Sequence, residues 1–270
     1  MAKKIEMYEG RPVFRASNSE QLADVVAQYK GDVEPPYVVR IPARTKYVKS
    51  GAFDSNHDIG VVLLPDSVWS IGQEAFDNCD NLTSVILPES LELIDYDAFC
   101  GCSSLSDISI PSSVRKIRDA AFCNCESLTK ITIPASVCEI GTEAFSGCEE
   151  LTEVTFLGLV KEIGEDCFLN CSNLTKIIVP DKKGKAYKEL LPDELHNLIV
   201  EQSESATFDT KTVKKVFTLE YTQTIRSSYV VMAGTKKEAE ALFRDGKAEL
   251  IYTDKEDNLD IDVCYALKQV

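Results

Sequence analysis

Four thiols stand in a spacing that metal chemistry uses. Cys100-Gly-Cys102 and Cys123-Asn-Cys125 make a CxC…CxC arrangement, and thiolates so spaced bind zinc. A period explains the same residues without a metal. Cys102 and Cys125 belong to a cysteine column that recurs every 23 residues, which leaves Cys100 and Cys123 as extras. These two hold equivalent positions one period apart and could lie close enough for a disulfide in oxidising conditions. Inert packing is the default reading and no metal site is expected. Histidine chemistry has little material, since His57, near Asp54 and Asp58, and His196 are the only two. Neither has a nucleophile in a predictable partner position. No glycine-rich phosphate loop, G-x-S-x-G elbow or H-E-x-x-H run occurs in the sequence. A protein that is not an enzyme and takes no cofactor is expected.

The 270 residues carry 44% hydrophobic and 27% charged side chains, ordinary for a globular protein, and a net charge of −15. Residues 43–180 hold nine basic against 21 acidic residues, a net of −12. Such acidity repels phosphate backbones and anionic lipid, so neither direct nucleic-acid nor membrane binding is expected, whereas a basic protein partner is allowed. Glu6 and Glu9 fall where a secretory signal would need an apolar core. Five of the ten cysteines follow the period and read as small buried residues. A cytoplasmic location is expected.

The elements that must position these residues come from a repeat. Phe53, Phe76, Phe99, Phe122, Phe145 and Phe168 are 23 residues apart every time. Three positions later stand Cys79, Cys102, Cys125, Cys148 and Cys171, with Asn56 in the first copy. Five positions before each Phe is Val48 or an Ile, six after is Ile59 or a Leu, and twelve after is Pro in all copies but the one with Leu157. In Leu128-Thr-Lys-Ile-Thr-Ile-Pro134 apolar and polar residues alternate as a half-buried strand requires, and Pro ends it. The Ala-Phe-x-x-Cys stretch then packs a short helical or 3₁₀ turn under the sheet. One unit cannot bury its apolar face alone, so stacked units share a core. Counting Tyr37–Pro42 as the first, seven strands form one parallel sheet.

The pattern I-x-x-x-A-F-x-x-C-x-x-L-x-x-I-x-I-P-x-S-V resembles the BspA-like leucine-rich repeat, and covers about residues 37–180. The resemblance implies a curved solenoid used for protein binding and adhesion, with no catalytic residues to carry over. The predicted fold is a leucine-rich-repeat solenoid with parallel β-sheet, followed by a small α+β domain.

Both ends of a solenoid need caps. Residues 1–36 are expected to form a helical N-terminal cap, with Ser17–Glu20 as a capping box and a helix over 18–30. Repeats fill 37–180, a helical cap kinked at Pro192 fills 181–200, and a polar linker covers 201–212. Residues 213–270 read as a β-β-α-β-β module, with strands at Val216–Tyr221, Ser228–Ala233, 248–253 and 259–264 and a helix over 235–243. Its phrases Thr222-Gln-Thr-Ile, Lys237-Glu-Ala-Glu and Asp257-Asn-Leu-Asp-Ile-Asp262, within residues 213–264, are similar to the DpnD/PcfM-like family of mobile elements, which implies a phage or plasmid origin.

The open face of the strands is the candidate binding surface. Side chains alternate across a sheet, so one outward column runs Val38, Val61, Ser84, Asp107, Lys130, Glu153, Lys176. A second runs Arg40, Leu63, Ile86, Ser109, Thr132, Thr155, Ile178. Val38, Val61, Leu63 and Ile86 would then form an exposed apolar patch, unless the N-terminal segment folds over it. Trp69 is a further anchor candidate, with edge packing as its alternative. The expected function is non-catalytic protein binding through this face, the C-terminal module making a second contact or a dimer. The alternatives are a mobile-element inhibitor that occupies a host protein's nucleic-acid groove by its acidity, and a cell-surface adhesin.

Overall fold

The recurring phenylalanines set the geometry of the repeat. In this computed structural model, which describes residues 6–8, 10–28 and 34–202 and the strands 215–223, 225–233 and 249–250, their six rings stack one coil upon the next. Centroids lie 5.3–5.7 Å apart and ring planes within 10° of parallel. The cysteine three residues after each ring faces the coil before it. Cys79 Sγ donates to the Phe53 carbonyl at 3.1 Å and Cys148 Sγ to the Phe122 carbonyl at 3.3 Å, and the intervening copies do the same. The column is therefore more than small apolar filler: it supplies donors to carbonyls inside a dry core. In the first copy Asn56 instead donates from Nδ2 to Ser19 Oγ at 2.9 Å, which ties the N-terminal helix to the coil.

Turning the chain around each Phe takes two left-handed residues. Glu74, Asp97, Ala120, Glu143 and Asp166, two before the ring, have φ of 52–56°, and Asn78, Asn124 and Asn170, two after it, have 52–59°. Asn suits that conformation, as does the glycine found there in two other copies (Gly101 and Gly147); Glu and Ala do not.

Most coils contribute two strand segments. Arg11–Arg15, Tyr37–Arg40, Ile59–Leu63 and Ser84–Ile86 pair in parallel, with Met7–Tyr8 antiparallel on the edge. Lys130–Ile133, Glu153–Phe156, Lys176–Pro180 and Ile199–Gln202 form a second parallel sheet. The single face sheet expected from the sequence is thus divided, because residues 107–110 are not in a strand although Ile108 and Ile110 stay buried. Elsewhere a threonine at the strand's entry bonds back one coil, as Thr83 Oγ1 does to the Gly60 carbonyl at 2.9 Å and Thr175 Oγ1 to that of Thr152 at 3.2 Å. Here Ser106 and Asp107 replace residues of higher strand preference. A third sheet, of two-residue strands around the Val48/Ile column, runs unbroken through six coils from Tyr47–Val48 to Glu162–Ile163. Its existence was not anticipated.

The N-terminal cap is a hairpin plus a helix rather than a helix alone. The helix Ser19–Ala27 is capped by Asn18, whose Oδ1 accepts from the Gln21 amide at 2.9 Å, while Gln21 Oε1 accepts from the Ser17 amide and hydroxyl. The capping box is shifted by one residue from Ser17. At the other end the helix Gly184–Leu190 and a 3₁₀ turn Asp193–Leu198 are separated at Pro192, and the strand Ile199–Gln202 follows. Tyr187 plugs the last coil: its ring lies 4.6 Å from that of Phe156, its hydroxyl donates to the Gly158 carbonyl at 2.6 Å, and it accepts from the Val160 amide at 3.3 Å. Residues 1–202 form one compact unit and 203–270 another. In the second, Lys215–Gln223 pairs antiparallel with Ile225–Ala233, and Glu249–Leu250 pairs antiparallel with the latter. The helix expected over 235–243 and the strand over 259–264 lie outside the described residues.

Candidate binding surface

Alternation correctly assigns the two columns to the outer side of the face sheet, but exposure differs along it. Val38 and Val61 are 0% and 2% exposed, which corrects their expected place in an open patch. They form a small cluster with Val13 on the side away from the main core, and Tyr8 and Leu63 pack against it. The N-terminal hairpin contributes to the cover through Tyr8. Glu6 pairs with Arg40 at 2.7 Å, and Arg11 reaches the Thr83 hydroxyl at 3.3 Å. A Cβ at Gly60 would collide with the Pro36 ring, so glycine lets that ring lie this close, and the Arg11 guanidinium reaches over the same position. Leu63 is half-buried and Ile86 is 48% exposed.

Beyond Ile86 the face carries an exposed polar row. Asp107, Ser109, Lys130 and Thr132 are exposed. Glu153 lies between Lys130 and Lys176, at 3.8 and 3.4 Å, so these charges are matched from coil to coil. Pairs this exposed add little stability and leave a charged surface of fixed geometry on a rigid ladder.

The short-strand sheet carries a second surface that the sequence indicated only through Trp69. Trp69 is 47% exposed and, with Tyr47, Lys49, Ser70, Gly72 and Asp95, lines a shallow groove of about 410 Å³. Tyr96 is exposed nearby, with the Arg118 guanidinium 5.7 Å from its ring centre. Arg118 and Lys116 both bond Glu139, which holds its carboxyl below the usual range, first through the Lys116 bond. Tyr47 and Tyr96 were missed; Tyr47 directly precedes Val48 and would have been marked had that column been read as strand, whereas Tyr96, two residues after Ile94, carries no such signal.

The reactive side chains do not converge on a catalytic arrangement among the described residues. His57 pairs with Asp80 at 2.7 Å, one coil on, rather than with Asp54 or Asp58, and His196 Nε2 meets the Leu191 carbonyl at 3.0 Å. No group of three or more His, Cys, Asp or Glu among the described residues has an arrangement that would hold a metal ion. Burial pushes the Cys79 thiol up to about 12 and the Cys102, Cys125 and Cys148 thiols up as well. Cys100 and Cys123 differ: both are half-buried, at equivalent positions one coil apart.

Among known families, the BspA type leucine rich repeat region matches in six copies, over residues 38–137, 69–194 and 115–228. Similar solved structures are bacterial. A leucine-rich repeat protein from Bacteroides ovatus is 30% identical over 54% of this chain and 42% of its own, with a TM-score of 0.49. A leucine rich repeat protein from T. pallidum is 30% identical over 58% of this chain and 84% of its own, with a TM-score of 0.48. A leucine rich cell surface protein from Faecalibacterium prausnitzii is 32% identical over 57% of this chain and 37% of its own, with a TM-score of 0.44. This chain therefore spans less than half of the first and third of them. No curated protein matches it.

Proposed function

We propose that this chain, which belongs to the BspA type leucine rich repeat family, is a non-catalytic scaffold that holds a protein partner on the strand face from Ile86 to Lys176. The observation that carries this reading is the end of the N-terminal cover. The hairpin helps close the face over Val38 and Val61, while Ile86 next to them stands 48% exposed beside the row Asp107, Lys130, Glu153 and Lys176. An apolar anchor at the rim of a rigid polar surface suits a protein interface. The excess of acid over 43–180 favours a partner of basic charge. Residues 203–270 supply a second contact or a dimer interface in this reading.

Capture from a lysate of the native host tests it. The full chain retains a specific partner, and a variant with Ile86→Lys, Asp107→Lys and Glu153→Lys loses it while melting as the wild type does. Release of that partner as salt rises supports the basic-partner clause, because exposed charges are screened. Capture that survives the triple change but is lost in Trp69→Ala would move the site to the short-strand sheet and overturn the proposal.

A further inference from the structure

Stacking brings every cysteine of the repeat within one coil of another, so proximity does not single out a pair. Accessibility and register do. Cys79, Cys102, Cys125, Cys148 and Cys171 are buried, and each donates its proton to a phenylalanine carbonyl of the previous coil. Cys138 is half-buried and donates to the Arg115 carbonyl at 3.3 Å, with no thiol at the equivalent position of the adjacent coils. Cys100 and Cys123, the residues directly after Phe99 and Phe122, are half-buried and hold equivalent positions in adjacent coils.

Their backbones are held in register on both sides. The Phe99 amide donates to the Ala121 carbonyl at 2.9 Å and the Gly101 amide to the Cys123 carbonyl at 2.8 Å, and the two rings stack at 5.3 Å. Neighbouring chains at this spacing have Cα atoms roughly 5 Å apart, inside the range a disulfide spans.

We propose that Cys100 and Cys123 are a peroxide-oxidisable dithiol that closes to a disulfide between adjacent coils. The oxidant is hydrogen peroxide or another hydroperoxide. Its O–O bond breaks as one of the two thiols takes one oxygen, giving a sulfenic acid and one water. The other thiol then attacks that sulfur, its proton leaves with the hydroxyl as a second water, and the S–S bond forms. Two thiols are oxidised by two electrons and one peroxide is reduced. The bond closes residues 100–123 into a loop that contains 107–110, the coil segment without a face strand.

The test uses the full reduced chain and near-stoichiometric hydrogen peroxide. Denatured thiol titration falls from ten to eight, fragment mass analysis links Cys100 to Cys123, and dithiothreitol restores ten. Cys100→Ser and Cys123→Ser each trap a dimedone adduct on the remaining thiol of the pair. Before oxidation, iodoacetamide modifies Cys100 and Cys123 at least about tenfold faster than the buried column. Ten persisting thiols or a link between other cysteines would each overturn the assignment. The wild-type mapping decides the matter even if a variant folds poorly.

Discussion

Replacing Val61 by Asp isolates the contribution of the N-terminal cover. Val61 is 2% exposed in a cluster with Val13 and Val38 that is separate from the main core. Removing its apolar surface from the cluster forfeits about 1.5–3 kcal/mol, and an unpaired carboxylate there adds a desolvation cost. The sum has a ceiling. If the hairpin lifts away, the carboxylate reaches water, so the penalty cannot exceed the free energy that holds the hairpin down. We therefore expect a local loss of about 2–3 kcal/mol with the phenylalanine column undisturbed. The assay is amide hydrogen exchange at Val13, whose N–H donates to the Glu6 carbonyl at 2.9 Å across the hairpin. Its protection should fall roughly 30- to 150-fold in Val61→Asp, while the Phe99 and Phe122 amides keep theirs. The comparison variant is Ile86→Asp, which should change stability by less than about 0.5 kcal/mol because the side chain is already half in water. Equal Val13 protection in wild type and Val61→Asp would refute the assignment of the hairpin as cover, as would a large global destabilisation by Ile86→Asp.

Three other outcomes follow from the same contacts. Tyr187→Phe leaves the Gly158 carbonyl and the Val160 amide without their partner, so urea unfolding should show a loss of about 1–3 kcal/mol, with Val160 exchange rising first. Asp97 has its carboxyl raised by burial and then by Glu74, Asp119 and Glu143, so the folded state binds its proton more tightly than the unfolded one. That penalises the fold once pH rises through the folded value, and Asp97→Asn should raise the melting temperature by about 1–3 °C at pH 7. The gain should shrink below the ordinary value of 3.8, since both states are then protonated; a gain independent of pH would assign it to the residue's left-handed backbone instead. Ser106→Thr places at the strand's entry the β-branched residue that Thr83 and Thr129 supply in the adjacent coils, and should add about 0.5 kcal/mol and about twofold exchange protection over residues 107–110.

The repeat was legible because its signal is redundant: five columns in one register specify the Phe stack, the cysteine row and the strand ends together. Two-residue strands carry no alternation to read, so the sheet from Tyr47–Val48 to Glu162–Ile163 showed only as a column of buried Val and Ile. The face sheet's interruption turns on Ser106 and Asp107, two residues against a pattern that otherwise persists through Ile108 and Ile110. Met7–Tyr8 and Arg11–Arg15 were hidden for a different reason. Their hairpin turn holds Gly10 at a φ of 78°, a cue that is common in loops of every kind, and the strand partner is about 25 residues further along the chain.

The columns themselves nevertheless record where the cover stops. Alternation fixes which side chains leave the sheet; what lies over them decides whether they meet water. In the first column the change from Val38 and Val61 to Ser84, Asp107 and Lys130 falls at the reach of the hairpin, whose last contact is Arg11 on Thr83. Covered positions are apolar and uncovered ones polar, so that column needs no partner to explain it. In the second column the change comes one coil later: Leu63 is half-covered, and Ile86 remains apolar with the cover gone. A lone exposed isoleucine is unremarkable by itself. One that continues an apolar column past the edge of its own cover, onto a ladder of matched charges, is the residue whose type the chain's internal packing leaves unexplained and a bound partner would explain.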